Sequence, residues 1–349
     1  MSARVSMEDV LGHFATLQDP RSEVNRKHPL ASVIVIAIMG ILAGAAGPTA
    51  IAEWAKSHVD FVRSYVPLPN GIPRKDVFRR LLCALKPDAF QACFENWLES
   101  LRSAAAAATG VDRPNFAVDG KTLRRSHDKK GGLAALHCVS VWVREFGITL
   151  AQVATDQKSN EITAIPEVLQ LVDMTGAIVT IDAMGTQKEI AKVIVDGGGD
   201  YVLALKGNQG TMHDAVINHV IENMESDFAN VETQQVVTTE KGHGRVETRQ
   251  VIQMKAPESL PGFAQWLGLA TIGVAILTCV RKGVTTTEVR YFISSLPMGV
   301  DRLAQAIRSH WGIENTCHWC LDVTYREDES RMREKNAREN LAWLYRFTL

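Results

Sequence analysis

Charge of one sign is not in surplus. Lys and Arg number 38 against 39 Asp and Glu, a formal net charge of −1, so no global positive field draws in a polyanion and any nucleic-acid site must be a local patch. Cysteines are few and scattered, at 83, 93, 138, 279, 317 and 320. That spacing excludes the disulfide framework of a small secreted domain and fits a reducing compartment, the cytoplasm. Internal repeats and low-complexity tracts are absent, and 46% hydrophobic with 22% charged residues excludes a mainly disordered chain. A length of 349 residues predicts two domains, or one large domain carrying an insertion.

Long uncharged runs are also scarce, with one exception at 30–47, LASVIVIAIMGILAGAAG. It just reaches the length that raises the question of a membrane span. The run is rich in Ala and Gly, Pro48 closes it, and no second apolar span follows. Glu8, Asp9, Asp19 and Glu23 precede it, which excludes the short basic leader of a secretory signal. The expectation is therefore a buried helix in an N-terminal domain and no membrane.

Residues 1–105 read as helical, with the turn PLPNGIPR after a second pattern at 51–66 and a break at Lys86, Pro87 and Asp88. The Ala run at 104–108 and the loop TGVDRPN mark a boundary, giving 1–108 as a helical domain and 109–349 as an α/β domain. From Phe116 the period changes to strands at FAVDG, LHCVSVWV, ITLAQVAT, AIVTIDA and YVLALK, with helices at ITAIPEVLQLV and QKEIAKVIVDGG. That order predicts a mixed sheet that begins as a meander. Residues 207–300, one helix and then ETRQVIQM, GVAILTCV and TEVRYFISSL, read as a β-rich insertion. From Asp301, expected as an N-cap, the chain is helical again.

Three acids stand where chemistry could be done. Asp119 closes the strand FAV before Gly120, and Asp182 closes IVTI before Ala183. Two carboxylates at the ends of strands that could be neighbours are a cradle for hard divalent cations; singly, each is an ordinary turn or capping aspartate. Glu314 falls in helical register with Leu303, Ile307, Trp311 and Leu321 and is expected to face inward, where it needs a cation or a buried arginine partner.

The segments AVDGKTLRRS, VTIDAMGTQ, DYVLALKGNQ, GHGRVETR and SHWGIENTCHWCLDVTYREDESRMR resemble those of the insertion-sequence DDE transposases of the ISAs type, a group that includes the H-repeat-associated proteins. DPR, KHPL and GIPRKDVFRRLL are similar to its associated helical domain, so the resemblance covers nearly the whole chain. It implies a ribonuclease H-like, retroviral integrase-like core, with Asp119, Asp182 and Glu314 as catalytic, metal-binding acids. The β-rich insertion accounts for a gap from Asp182 to Glu314 about twice that from Asp119 to Asp182. Two Mg²⁺ ions, with Mn²⁺ able to substitute, would activate water or a DNA 3'-hydroxyl and stabilise the leaving oxygen. The implied partners are double-stranded DNA, as transposon ends and target, and a second copy of the chain in a dimer on DNA, with the protein at the nucleoid when bound.

Broader relatives carry Tyr seven residues before the glutamate, Arg four before and Lys seven after. Here those positions hold Ile307, His310 and Leu321, which leaves His310, Arg308 and His318 as local candidates for DNA contact. Lys121, Arg124, Arg125, Lys206 and Asn208, with His243, Arg245 and Arg249 of the insertion, complete a set suited to phosphate neutralisation. Arg74, Arg79 and Arg80 could reach transposon ends. Zinc at His310, His318, Cys317 and Cys320 lacks a second ligand cluster. Asp322, Glu327 and Asp328 are runner-up acids, expected to be solvated or paired with Arg326, Arg331 and Arg333. The alternatives are a ribonuclease H-like nuclease that cuts without joining, and a decayed DNA-binding copy, since the sequence stops at Leu349 within a helical pattern.

Overall fold

A computed structural model of the chain describes residues 7–128, 130–155, 161–242 and 244–349. The chain forms two compact units that interleave in sequence. A helical unit comprises Met1–Asp112, Gly120–Ala164 and Glu314–Leu349; a sheet unit comprises Arg113–Asp119 and Ile165–Ile313.

The helical unit opens with α1 (Met7–His13), α2 (Leu30–Leu42), α3 (Pro48–Ser57), α4 (Val59–Arg63), α5 (Lys75–Ala84) and α6 (Pro87–Thr109). The long apolar run is α2. Ser32 to Ile41 are all buried, and a helix hidden on every side has no reason to be amphipathic. At 13 residues it spans about 20 Å, short of the roughly 30 Å of a bilayer interior. No helix among the described residues is long and apolar enough to cross a membrane. Proline punctuates the rest, with Pro48 and Pro87 at helix starts, where the missing N–H costs nothing.

β1 (Asn115–Thr122) begins in the sheet unit, and its end, from Gly120, belongs to the helical unit with the antiparallel hairpin β2 (His137–Val143) and β3 (Ile148–Thr155). The last helix, numbered α11 (Lys335–Phe347), is the spine of this unit. Its Trp343 and Phe347 join Phe90, Phe94 and Trp97 of α6, with ring centroids 4.8 Å apart for Phe90–Phe94, 4.2 Å for Phe94–Phe347 and 4.3 Å for Trp97–Phe347. Such pairs contribute about 0.5–1.5 kcal/mol each beyond burial. Asn340 donates to the carbonyls of Leu82 and Leu85 at 2.8 and 3.0 Å, and Asn336 to that of Cys83 at 3.1 Å. The side chains of α11 thereby satisfy carbonyls that the end of α5 leaves open.

Asp322, Glu327 and Asp328 depart from expectation. Arg326 takes a left-handed φ of 54°, and the reversal carries Glu327 inward, where it meets Arg346 of α11 at 2.7 Å with both side chains fully buried. Arg346 also donates to the Ala342 carbonyl and to Ser140. Lys121 is buried too, 2.6 Å from Asp322, 3.6 Å from Asp328 and 3.9 Å from Glu327. Of the runner-up acids, Glu327 is buried while Asp322 is exposed as expected, and the cations they meet are Lys121, Arg124 and Arg346 in place of Arg326, Arg331 and Arg333.

The sheet unit holds α7 (Glu161–Gln170, starting in the helical unit), β4 (Ile178–Ile181), α8 (Lys188–Asp196), β5 (Asp200–Leu205), α9 (Gly210–Glu225), β6 (Thr233–Gly242), β7 (Arg245–Lys255), β8 (Thr271–Arg281), β9 (Val284–Ser294) and α10 (Val300–Gly312). Its strands lie in the order β1-β4-β5-β9-β8-β7-β6. The first three are parallel and the rest antiparallel. β4 is buried at every residue, as a parallel strand covered on both faces must be. The strands of the predicted insertion continue this sheet through β9 on β5. Leu303, Ala306 and Ile307 of α10 pack with Ile178, Val202, Val251 and Phe292. Gly299, not Asp301, stands at the N-cap of α10.

Glu327→Gln should leave the Arg346 charge buried without its counter-ion, at a cost of about 3–5 kcal/mol. Thermal unfolding followed by circular dichroism should show a midpoint lower by on the order of 10 °C; a midpoint within a degree or two of wild type contradicts the assignment.

Candidate active site

The parallel register pairs Asn115 with Ile178 and runs on to Val118 with Ile181. One residue past this pairing come Asp119 and Asp182: β4 ends at Ile181, directly before Asp182, whereas β1 runs on past Asp119 to Thr122. Both aspartates are half-buried. Asp182 is pre-organised by its own loop: its Oδ1 accepts the N–H of Met184 at 3.0 Å and of Gly185 at 3.4 Å, an Asx turn. A Cβ at Gly185 would lie 2.4 Å from Ile181 and 2.6 Å from Ile165, so this turn requires glycine.

The loop after β5 fastens the one after β4. Asn208 donates to the Ala183 carbonyl at 2.5 Å, Gln209 to the Thr186 carbonyl at 2.9 Å, and Thr186 to the carbonyls of Ala204 at 2.6 Å and Asp182 at 3.2 Å. Asn208, expected as a DNA contact, is exposed and ties down the Asp182 loop through its amide N–H. Lys206 beside it is exposed.

On the helical-unit side of β1, Gly120 is held against a pair that sequence reasoning missed. His137 Nε2 lies 3.2 Å from Glu161 Oε2, and His137 Nδ1 lies 2.8 Å from the Thr122 hydroxyl. A Cβ at position 120 would stand 2.4 Å from His137 and 2.8 Å from Glu161. The glycine after Asp119 therefore exists to admit this buried pair.

Below Asp182, the Thr180 hydroxyl bonds His310 Nδ1 at 3.1 Å. Desolvation pushes the His310 pKa down to about 4, against the opposing pull of the Asp182 charge, so the ring is neutral at physiological pH. Glu314 corrects a prediction: it is exposed. At Ile313 α10 gives way to a π-helical stretch, Ile313–His318 and then Cys320–Thr324. The wider turn moves Ile313, Cys317 and Leu321 onto the buried face and releases Glu314 to solvent.

The predicted cations divide by partner. Lys121 is held by three carboxylates and is not free for phosphate. Arg124 is exposed yet 3.2 Å from Asp328, and Arg125 is exposed. Arg308 and Arg249 share Glu240 at 2.6 and 3.0 Å, and Arg245 meets Glu247 at 2.6 Å. His318 is partly buried, and His243 lies outside the described residues. Among the described residues no three His, Cys, Asp or Glu are grouped closely enough to hold a metal.

Residues 111–349 match the family described as Transposase DDE domain, and residues 11–98 the one described as DDE_Tnp_1-associated. The chain belongs to the DDE transposases. It is 36% identical over 340 residues to "H repeat-associated putative transposase YhhI" of Escherichia coli (strain K12), covering 96% of this chain and 88% of that one. It is likewise 36% identical over 349 residues to "Putative transposase YncI" of Escherichia coli O157:H7, covering 99% and 87%. A shorter relative, "Inactive transposase YbfQ" of strain K12, is 26% identical over 78 residues, 22% of this chain and 93% of that one. The family implies a ribonuclease H-like core, and the mixed α/β sheet of this transposase agrees with it.

His310 gives the fold an acid limit. Its folded pKa is about 4 against an unfolded value near 6.5, so between these values the unfolded state binds more protons and stability falls as pH falls. The loss approaches the order of 3 kcal/mol by pH 4. Urea unfolding at pH 7 and pH 4.5 should show that His310→Gln removes most of this share; an equal loss in the variant contradicts it.

Proposed function

We propose that this transposase cuts DNA at the ends of its own element and joins the freed 3' ends to target DNA, with Asp119, Asp182 and Glu314 as its catalytic acids. The observation that carries this reading is the β1–β4 register, which sets Asp119 beside Asp182 in a chain of the DDE family. Residues 1–108 would serve as the associated helical domain and 109–349 as the catalytic domain, its β-rich insertion at about 207–300.

The donor set suits a hard divalent cation, because all three groups are carboxylates. Asp182 uses one oxygen on backbone N–H groups and keeps the other for a metal. When bound, Mg²⁺ or Mn²⁺ supplies polarisation of the attacking hydroxyl and stabilisation of the leaving oxygen. The chain's own residues do the orienting. The Asn208, Gln209 and Thr186 bonds hold the Asp182 loop, and Gly120, backed by His137 and Glu161, fixes the backbone after Asp119. The exposed placement of Glu314 gives that acid access to solvent and to a DNA strand. Lys206 and Arg125 are the exposed predicted cations with no carboxylate partner among the described residues, which makes them the first choices for phosphate contact. A dimer, one copy per transposon end, is the simplest assembly that cuts both ends.

Asp119→Asn, Asp182→Asn and Glu314→Gln each keep size and remove an anion, so each should abolish Mg²⁺-dependent nicking of an end-bearing duplex while leaving the melting temperature unchanged or raised. An active Glu314→Gln protein overturns Glu314 as the third acid. A wild-type protein that binds the duplex without cutting it favours the decayed copy, and cutting without joining favours the plain nuclease.

A further inference from the structure

At the outer end of the sheet unit two hairpins finish side by side. Gly242 stands opposite Arg245, Arg245 opposite Arg281, and Arg281 opposite Val284, which forms the last row across β6, β7, β8 and β9. The row inside it is Lys241, Val246, Val280 and Thr285. Lys282 and Gly283, with φ of 51° and 80°, close the second hairpin in the left-handed pair of conformations that suits a two-residue turn. These rows and that turn hold Lys241, Arg245, Arg281 and Lys282, all exposed, and no acid. The row further in holds Glu240 and Glu247 side by side; Glu247 pairs with Arg245 and Arg249, and Glu240 with Arg249 and Arg308. Lys241, Arg281 and Lys282 have no ion-pair partner among the described residues.

Two physical features separate this tip from an ordinary solvated surface. Arg245 and Arg281 are directly opposite on neighbouring strands, an arrangement of like charges that costs stability. The outer half of the sheet also has little core to maintain: on β8 the fully buried residues end at Val274, and on β9 they begin at Phe292. About 20 Å of strand runs beyond the last buried residues, joined to α10 through Arg308 and Glu240, and ends in four cations, in a chain whose net charge is only −1.

We propose that this double-hairpin tip grips the phosphate backbone of duplex DNA without reading its sequence, an inference that rests on the transposase reading above. Phosphates would sit between the paired arginines and relieve their repulsion. The tip offers Lys and Arg but no Asn or Gln, and Thr285 is the sole hydroxyl in its two rows, so it is equipped for phosphate neutralisation and poorly equipped for base edges.

The test uses the full chain with Lys241→Gln, Arg281→Gln and Lys282→Asn combined; asparagine tolerates the left-handed turn position. Arg245 stays, because it is tied to Glu247. Fluorescence anisotropy over a NaCl series would compare a duplex taken from the DNA flanking the coding sequence with a shuffled duplex of equal length. The salt slope of log K should shrink by about 2 to 3 on both duplexes, with binding at least tenfold weaker at 0.1 M salt. The single variant Arg281→Gln should shrink the slope by about 1 without lowering the melting temperature, which covers the case of a misfolded triple variant. An unchanged slope overturns the proposal, and so does a loss confined to the flanking-DNA duplex. If the wild type binds neither duplex, the transposase reading falls together with the tip; if it binds both and the variants match it, the tip alone falls.

Discussion

The parallel pairing of β1 with β4 runs as far as Val118 and Ile181 and brings Asp119 and Asp182 one residue past its end on neighbouring stretches of the sheet. Most of the remaining site follows from that pairing. Were β1 shifted by one residue, Asp119 would point to the opposite face of the sheet, since side chains alternate along a strand. The register is held by buried apolar residues on both strands and by the Thr180 hydroxyl, which reaches across to the Phe116 carbonyl. Behind Gly120, the His137–Glu161 pair admits no side chain at all. Steric constraint thus fixes the backbone that carries Asp119 and Asp182.

The second constraint is the buried charge network of the helical unit. Lys121 lies two residues after Asp119; of its partners, Asp322 lies in the second part of the π-helical stretch that follows Glu314, and Glu327 and Asp328 just beyond it. Arg346 of α11 closes the network from below. The segments that follow Asp119 and Glu314 are therefore tied together within one unit by charges that are costly to leave unpaired. That gives the DGK and YREDE segments a shared structural purpose besides any catalytic one.

Much of this was readable in the sequence. The strand before Asp182 and the helix in the uncharged run at 30–47 were legible from period and punctuation, whereas β1, expected to close at Asp119, runs on to Thr122. β6 escaped because Thr233–Gly242 is exposed over most of its length and shows no alternation of apolar and polar residues. Glu314 was placed on the wrong face because a 3.6-residue period was extended through Ile313, where the helix widens. Lys121 read as a DNA-facing cation because its partners lie some 200 residues away, at Asp322, Glu327 and Asp328. The His137–Glu161 pair left no local signal; only the glycine after Asp119 hinted that something fills the space beside it.

On the proposed function, Asp119, Asp182 and Glu314 hold the same divalent ions. Fe²⁺ put in place of Mg²⁺, with ascorbate and peroxide, generates radicals that cut the polypeptide beside the bound metal, so mass spectrometry of the fragments maps the ligands directly. Cuts next to Asp119, Asp182 and Glu314 together, all suppressed by excess Mg²⁺, are the predicted result. Cuts beside the two aspartates but never near Glu314, or a pattern that Mg²⁺ does not suppress, would contradict it.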